Sequence, residues 1–106
     1  MISSELLAEV YPLATRFTDA GFRIYLVGGI VRDQVLGRAL EPSSDIDLTT
    51  DAPPERTKKL VAGLAQAVWT QGERFGTIGC LIGERSYEIT THRGESYDPS
   101  SRKPTV

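Results

Sequence analysis

The segment DIDLTT, residues 45–50, is the feature that most constrains what this chain can fold into. Its polar and apolar residues alternate, which is typical of a β-strand with one buried face and one wet face. Because successive side chains of a strand point to opposite faces, Asp45 and Asp47 share the wet face. Ile46 and Leu48 share the other face, and the segment is therefore predicted to be a half-buried strand of a sheet.

Helices and strands are also predicted before this segment. Apolar residues at helical spacing predict a helix over residues 5–20, which Pro12 is expected to kink or split because it lacks a backbone donor. Residues 24–27 have the pattern of a short buried strand. This strand leads through Gly28-Gly29 into a helix over about residues 30–36. The first part of the chain thus contains a strand, glycine turn, helix unit.

After the segment, one helix is predicted and then strands. The helix begins near Pro53-Pro54, and its apolar stripe consists of Leu60, Val61, Leu64, Ala65 and Val68. Strand patterns cover residues 68–71, 76–82 and 86–93, with a hairpin turn over 83–86. Residues 40–44 and 94–106 are turn-rich. This order of elements predicts an α+β or α/β domain, a mixed β-sheet with two or three helices packed on one face.

Length and composition exclude several classes of protein. A chain of 106 residues corresponds to one domain with a modest core. It has no apolar run near the ~18 residues that a membrane span needs, and its acidic N-terminus lacks the features of a secretory signal, so we expect a cytoplasmic protein without a membrane partner. The net charge of −2 indicates that overall electrostatics does not drive binding to nucleic acid.

Asp45 and Asp47 are candidate metal ligands. Residues two apart on a strand lie roughly 6–7 Å apart at the backbone, so their carboxylates can meet at one ion or bridge two ions about 4 Å apart. Magnesium prefers such hard oxygen ligands and completes its coordination shell with water and substrate phosphates. Taken alone, an Asp-x-Asp pair more often decorates a solvated strand face, and other features must decide between the two interpretations.

The segment LVGGIVRD, residues 26–33, is the first of these features. Gly28 and Gly29 follow an apolar strand and let the backbone approach a phosphate, and the next helix offers unpaired N–H donors at its N-terminus. Arg32 adds a guanidinium in the first turn of that helix. Because the lysine of a P-loop and the third glycine of a dinucleotide fingerprint are missing, a tight turn without a ligand is an equally good interpretation.

A third carboxylate lies on the alternating segment SYEITTHR, residues 86–93. If the wet face of this strand adjoins that of Asp45 and Asp47, Glu88 becomes a candidate metal ligand or general base. By itself, an exposed strand glutamate is more often structural. His92 has no partners at zinc-ligand spacing and is interpreted as a surface or hydrogen-bonding residue.

Three other residues are expected to have structural roles. Cys80 is the one cysteine, which excludes an internal disulfide and a cysteine-rich metal site, and its apolar neighbours predict a buried strand position. Tyr25 and Trp69 lie in strand-like runs and are expected in the core. Arg93 would fall on the face opposite Glu88 in a regular strand, so a phosphate role for it depends on the strand ending or bulging there.

Four segments occur together in one order, namely GGIVRD, DIDLTTDA, RFGTIG and YEITTHR. In order and spacing, over about residues 22–106, they resemble the head domain of the bacterial CCA-adding tRNA nucleotidyltransferase and poly(A) polymerase family. The ordered set is far more specific than any one of its members. The resemblance implies a nucleotidyltransferase palm, with the aspartates on a central strand and the triphosphate near the glycine turn.

The resemblance also implies roles for individual residues. Asp45 and Asp47 correspond to the catalytic and metal-binding pair, and Glu88 corresponds to a catalytic carboxylate on the last strand. Asp33 would position the phosphate-proximal arginine, and the RFGT segment would lie beside the active site with its arginine at a phosphate. The implied nucleotide-binding set is Gly28, Gly29, Arg32, Asp33, Arg74, Gly76 and Thr77.

The implied activity is template-independent transfer of nucleotides from CTP and ATP to the 3′ end of tRNA or another RNA, with two Mg²⁺ ions as cofactors. Members of the family continue into neck, body and tail regions that choose the nucleotide and hold the RNA. Residues 1–106 are expected to form the catalytic head alone, either excised or as a natural short relative. Two alternatives stay open: a head that binds metal-nucleotide weakly without turnover, and a small-molecule nucleotidyltransferase on the same palm.

Overall fold

The computed structural model describes residues 4–38 and 45–92, which form one sheet with helices on one face. The predicted connection at 40–44, Arg93 and the tail at 94–106 lie outside the described residues. The helices are α1 Ser4–Asp19, α2 Gly29–Val35 and α3 Pro54–Ala62, with a short 3₁₀ helix Glu73–Phe75. The strands are β1 Ile24–Val27, β2 Ile46–Thr50, β3 Ala67–Trp69, β4 Thr77–Ile82 and β5 Arg85–Thr91.

The five strands form a mixed sheet in the order β1-β2-β5-β4-β3. β2 and β5 are parallel neighbours at its centre, whereas the β1–β2, β5–β4 and β4–β3 pairs are antiparallel. The predicted mixed sheet is therefore confirmed, and DIDLTT lies on a central strand as the resemblance implied.

The hydrophobic core lies between the helices and one face of the sheet. Each of the three α-helices contributes to it, as do the apolar faces of β2, β4 and β5. This arrangement confirms the prediction of helices packed on one face, and the buried Cys80 is where the sequence placed it. The core consists of Leu6, Val10, Leu13, Phe17, Ile30, Ile46, Leu48, Ala52, Val61, Cys80, Tyr87 and Ile89.

The structure corrects two predictions about the helices. α1 is not split at Pro12, because Pro12 is exposed and the buried residues Leu6, Val10, Leu13 and Phe17 anchor both halves of the helix to one core. α3 ends at Ala62, so the expected stripe does not reach Val68, which belongs to β3.

Arg16 of α1 contacts the C-terminal end of α3. Its Nε donates a hydrogen bond of 2.6 Å to the carbonyl of Leu60, near the end of α3, where a cation is favourable. A Cβ at Gly63, the residue after the helix, would lie 2.5 Å from an Arg16 guanidinium nitrogen, so a larger residue there would require the end of the Arg16 side chain to move. None of the helices in the described ranges is long and apolar enough to span a membrane.

Candidate active site

One row of residues crosses all five strands on the face that the helices leave open. Strand register pairs Val27 with Asp47, Asp47 with Glu88, Glu88 with Gly79, and Gly79 with Trp69. Residues paired in this way share a face of the sheet. The structure therefore brings Glu88 next to Asp47 on the same face of the sheet. This adjacency was the condition under which Glu88 became a candidate metal ligand or general base.

The glycine turn meets the carboxylate of Asp47 directly. Gly28 has φ 82°, a left-handed conformation that favours glycine. A Cβ at this position would lie 2.6 Å from the Oδ2 atom of Asp47, closer than a side chain can approach. The strand, glycine turn, helix unit and the aspartate segment thus form one local structure.

The two aspartates influence each other electrostatically. Asp45 is exposed immediately before β2, and Asp47 is partly buried within it. The pKa of Asp47 is raised, first because burial disfavours its charged form and second because of the negative charge of Asp45. A divalent cation at this point would relieve both effects, so the donor set fits the metal that the family resemblance implies.

Glu88 lies beside this pair without completing a three-residue cluster. Over 4–38 and 45–92, no group of three His, Cys, Asp or Glu side chains is placed so that it could hold one ion. Mg²⁺ needs only one or two carboxylates when substrate phosphates and water supply its other ligands. Glu88 is thus an exposed neighbour of Asp47 on β5, and the assignment of Asp45 and Asp47 as metal ligands stays a prediction.

The other candidate residues of the glycine-turn segment, Gly29, Arg32 and Asp33, lie on α2. Gly29 is its first residue, and no side chain caps the N-terminus. Arg32 extends into solvent with 72% of its side chain exposed, at 3.9 Å from Asp33. The shorter contact of Asp33, 3.1 Å, is with Arg38. Asp33 thus holds Arg38 more closely than the arginine it was expected to position, and Arg38 was missed by the sequence analysis.

The RFGT segment is divided between two places. Thr77 is on the open face, where its hydroxyl lies 3.0 Å from that of Thr90, one row from Glu88. Arg74 instead lies over the ring of Phe75 at 4.9 Å, and the two line a cavity of about 480 Å³ with Gly76. This cavity adjoins the C-terminal end of β5, whereas Asp45 precedes the N-terminal end of the parallel strand β2. The structure does not bring Arg74 and Gly76 to the aspartates.

Two residues at the end of the aspartate segment hold β1 in place and were not predicted to do so. Asp51 accepts a hydrogen bond of 2.8 Å from the backbone N–H of Arg23. Thr50 donates one of 2.5 Å to the carbonyl of the same residue. Because Asp51 and Arg23 are 28 residues apart, local sequence patterns could not reveal this hydrogen bond. These bonds maintain the β1–β2 register that sets Gly28 against Asp47.

Tyr25 lies in a second row of the open face, opposite Thr49, whereas Trp69 belongs to the first row. The Nδ1 atom of His92 lies 2.8 Å from the hydroxyl of Thr49, which confirms the interpretation of this histidine as a hydrogen-bonding residue. The Tyr25 ring is 6.0 Å from the His92 ring and is 51% exposed. Trp69 is partly buried but lies outside the core cluster. The expectation that Tyr25 and Trp69 are core residues was therefore wrong, because both belong to the open face.

The fold and the site define a class of protein. A mixed sheet with helices on one face and an aspartate pair against a glycine turn are the features of a nucleotidyltransferase-type palm. The family model described as Poly A polymerase head domain matches residues 24–106. The chain belongs to this family.

The relatives of the chain are CCA-adding enzymes. The CCA-adding enzyme of Lactobacillus helveticus (strain DPC 4571) is 43% identical over 108 residues, which cover 98% of this chain and 25% of that protein. A CCA-adding enzyme of Lactobacillus delbrueckii subsp. bulgaricus is 40% identical over 101 residues, covering 95% and 24%. The chain thus spans about a quarter of the length of these curated relatives.

Solved structures share the fold. The Bacillus stearothermophilus CCA-adding enzyme in complex with CTP matches with a TM-score of 0.66 and 29% identity, over 80% of this chain and 20% of that one. The Thermotoga maritima CCA-adding enzyme complexed with tRNA matches with a TM-score of 0.71 over 87% and 22%. Its identity is 22%, and that likeness concerns the fold alone.

Proposed function

We propose that this chain is the catalytic head of an enzyme that adds nucleotides from CTP and ATP to the 3′ end of tRNA. The observation that carries the proposal is the carboxylate of Asp47 lying against Gly28, with Asp45 beside it. A metal ion bound by this pair would lie next to a turn that a triphosphate can approach. Family membership and the CCA-adding relatives support tRNA as the acceptor.

In the proposed reaction, the 3′ hydroxyl of the RNA gives its proton to Glu88, the candidate general base, and its oxygen forms a bond to the α-phosphorus of the nucleotide. The bond from the α-phosphorus to the pyrophosphate oxygen breaks, and pyrophosphate leaves. Asp45 and Asp47 would hold two Mg²⁺ ions, which when bound supply Lewis-acid polarisation and neutralise charge on the phosphates. Gly28 leaves room for the Asp47 carboxylate beside the turn, and the guanidinium of Arg32, which is 72% exposed and 3.9 Å from Asp33, would pair with the phosphates.

Glu88 would contribute negative charge beside the attacking hydroxyl. It is exposed and adjacent to Asp47 across the β2–β5 ladder, which places it on the side of the pair away from the glycine turn. A carboxylate there can accept a hydrogen bond from the acceptor hydroxyl and orient it towards the α-phosphorus.

Substitution of the aspartates tests the proposal. Asp45→Asn and Asp47→Asn keep the size of each side chain while removing its charge, and Asp19→Asn on the exposed end of α1 is the matched control. Each variant is placed in a chimera in which this chain replaces the corresponding quarter of the L. helveticus CCA-adding enzyme. We expect incorporation of labelled CTP into tRNA lacking its CCA end to disappear in the two site variants and to persist in the control. Near-normal incorporation in either site variant would contradict the assignment of Asp45 and Asp47 as catalytic residues.

The 106-residue chain by itself tests the alternative of a head that binds nucleotide without turnover. Two observations favour weak RNA binding by this chain: its net charge is −2, and its relatives are about four times as long. We expect the chain to bind Mg²⁺-CTP in a calorimetric titration and the chimera to extend tRNA. If the chimera extends tRNA and the 106-residue chain does not, RNA binding would be assigned to the regions outside this chain. Absence of turnover in both would favour the binding-only alternative.

A further inference from the structure

Trp69 lies on the open face of the sheet, over the backbone of Gly79. It is the last residue of β3, and its partner Gly79 is paired on the other side with Glu88. A Cβ at Gly79 would lie 1.9 Å from Nε1 of the indole, 2.3 Å from Cε2 and 2.5 Å from Cδ1. The absence of a side chain at position 79 therefore provides the space in which the indole sits.

The indole covers Gly79 with its face and not with its edge. Nε1 is bonded to both Cε2 and Cδ1, and the three atoms are at similar distances from the Cβ position. An edge-on ring would hold the two carbons markedly farther away than the nitrogen. Since one face of the ring lies on the sheet, the opposite face is directed away from it. Trp69 is correspondingly only partly buried.

The core does not account for a tryptophan at this position. Trp69 is outside the core cluster, which is closed by the helices on the opposite face of the sheet. Beyond its partner Gly79, the row continues with Glu88 and then Asp47. The indole offers an apolar flat surface at the end of the row that carries these two carboxylates, and such a surface is what a nucleobase stacks upon.

The order of residues along the row decides which substrate reaches the indole. The glycine turn is at the β1 end, the aspartates follow on β2, Glu88 is on β5, and Trp69 covers β4. In an in-line displacement, the attacking oxygen and the leaving pyrophosphate lie on opposite sides of the α-phosphorus. If the triphosphate occupies the glycine turn, the acceptor strand approaches from the side of Trp69.

We propose that Trp69 is the platform on which the terminal nucleobase of the RNA acceptor stacks. The inference rests on the proposed function, since the nucleotidyl transfer at Asp45 and Asp47 sets the direction of approach. The acidic groups of the row repel a phosphate backbone, whereas stacking is indifferent to charge and tolerant of base identity. Trp69 would thereby hold the base while its ribose presents the 3′ hydroxyl to Glu88 and the aspartates.

Fluorescence provides a direct test because Trp69 is the one tryptophan of the chain. The 106-residue protein is titrated, up to millimolar concentration, with a short RNA that ends in cytidine and with the same RNA whose last residue lacks its base. We expect the first RNA to quench the indole and the abasic RNA to leave it almost unchanged. Equal quenching by both RNAs, or none by either, would overturn the proposal.

Variants separate stacking from a structural role. Trp69→Phe keeps an aromatic face, Trp69→Leu keeps only the cover over Gly79, and Tyr11→Leu, at an exposed aromatic residue on α1, is the control. In the chimera, we expect Trp69→Leu to lower kcat/KM for tRNA about tenfold, the effect of losing one stacked base, and Trp69→Phe to retain it within about twofold. The KM for CTP should stay unchanged in both, and a parallel rise in that KM would contradict the proposal.

Gly79→Ala tests whether the indole lies over residue 79, and it does so without removing the ring. The added methyl group would meet the indole and displace it from the sheet. Loss of base-dependent quenching is expected, while circular dichroism should report an intact fold; retained quenching would contradict the inferred placement. If the unsubstituted chain shows base-dependent quenching but the unsubstituted chimera fails to extend tRNA, the proposed function is refuted and the stacking role of Trp69 is not. Extension of tRNA without quenching would refute the platform alone.

Discussion

Gly28 and Asp47 are so close that any side chain at position 28 would meet the aspartate carboxylate, with only 2.6 Å between a Cβ there and Oδ2. The contact joins the end of β1 to the second residue of β2 across an antiparallel pair. One small residue thus serves two purposes: it permits the left-handed turn, and it leaves the carboxylate room beside the place where a triphosphate is proposed to bind.

Gly28→Ala should therefore lower the free energy of unfolding by more than the backbone strain alone would. Gly37 is a control for positive φ, because it has the same φ of 82° and nothing within 4 Å of its Cβ position, while the ψ of −159° at Gly28 adds backbone strain to the contact with Asp47. We expect Gly37→Ala to lower the free energy of unfolding by about 1 kcal/mol, the strain of a non-glycine residue in this region. Gly28→Ala should lower it further and abolish incorporation of CTP. Equal effects of the two variants in urea unfolding would refute the contact with Asp47.

Magnesium should stabilise the protein through Asp45 and Asp47. A ligand present at ten times its Kd stabilises the folded state by about 1.4 kcal/mol, which raises Tm by several degrees in a domain of this size. We expect this rise for the unsubstituted chain and its reversal by EDTA. The rise should vanish in the Asp45→Asn/Asp47→Asn double variant and persist in Asp19→Asn. A rise of equal size in the double variant would place the ion elsewhere.

The parts of the site that the sequence predicted are those governed by local geometry. Alternation along DIDLTT was enough to set Asp45 and Asp47 on one face, and the apolar run before the glycines predicted β1 with its observed bounds. Both features depend on residues close in the chain, where the period of a strand determines which way a side chain points.

Long-range pairing was beyond the reach of the same reasoning. The row that joins Asp47, Glu88 and Trp69 depends on the register between strands that are separate in sequence. The position of Trp69 depends on a glycine ten residues away, which is why a core position was expected for it. Arg74 was expected at a phosphate, but the 3₁₀ helix directs it over Phe75 instead.

Asp51→Ala should loosen β1 from β2. The Asp51 carboxylate accepts the backbone N–H of Arg23, and loss of such a bond lowers the free energy of unfolding by about 1–2 kcal/mol. We expect faster hydrogen exchange at the Arg23 amide and reduced CTP incorporation, because Gly28 lies on the same strand unit. Asp51→Asn keeps an acceptor oxygen and should restore most of both properties. Protection of the amide in Asp51→Ala would show that this bond does not control the register.

Glu9→Leu should destabilise the packing of α1 on the sheet. Both oxygens of Glu9 bind the guanidinium of Arg85, one of them at 2.9 Å, and only 10% of the Arg85 side chain is exposed. A buried guanidinium that loses a bidentate carboxylate costs about 2–4 kcal/mol. Glu5→Leu, an exposed glutamate on the same helix, should change the free energy of unfolding by less than about 0.5 kcal/mol. Urea denaturation distinguishes the two, and similar values would argue against the ion pair as a stabilising contact.

Cys80 should make the fold sensitive to alkaline pH while remaining inert near neutrality. Burial raises the pKa of its thiol from 9.0 to about 11, which lowers the thiolate fraction of the folded protein about 100-fold at a given pH below 9. We therefore expect a thiol reagent to leave the native chain unlabelled at pH 8 and to label it in urea.

The sign of the accompanying pH dependence follows from the same pKa. Above pH 9 the unfolded state releases the Cys80 proton before the folded state does, so the free energy of unfolding should fall between pH 9 and about pH 11. The shift corresponds to roughly 2–3 kcal/mol at most. Cys80→Ala should remove this part of the slope and leave the portion due to Tyr87, whose pKa is raised to about 12 by burial. An unchanged slope between pH 9 and 10 in the variant would show that another group titrates there.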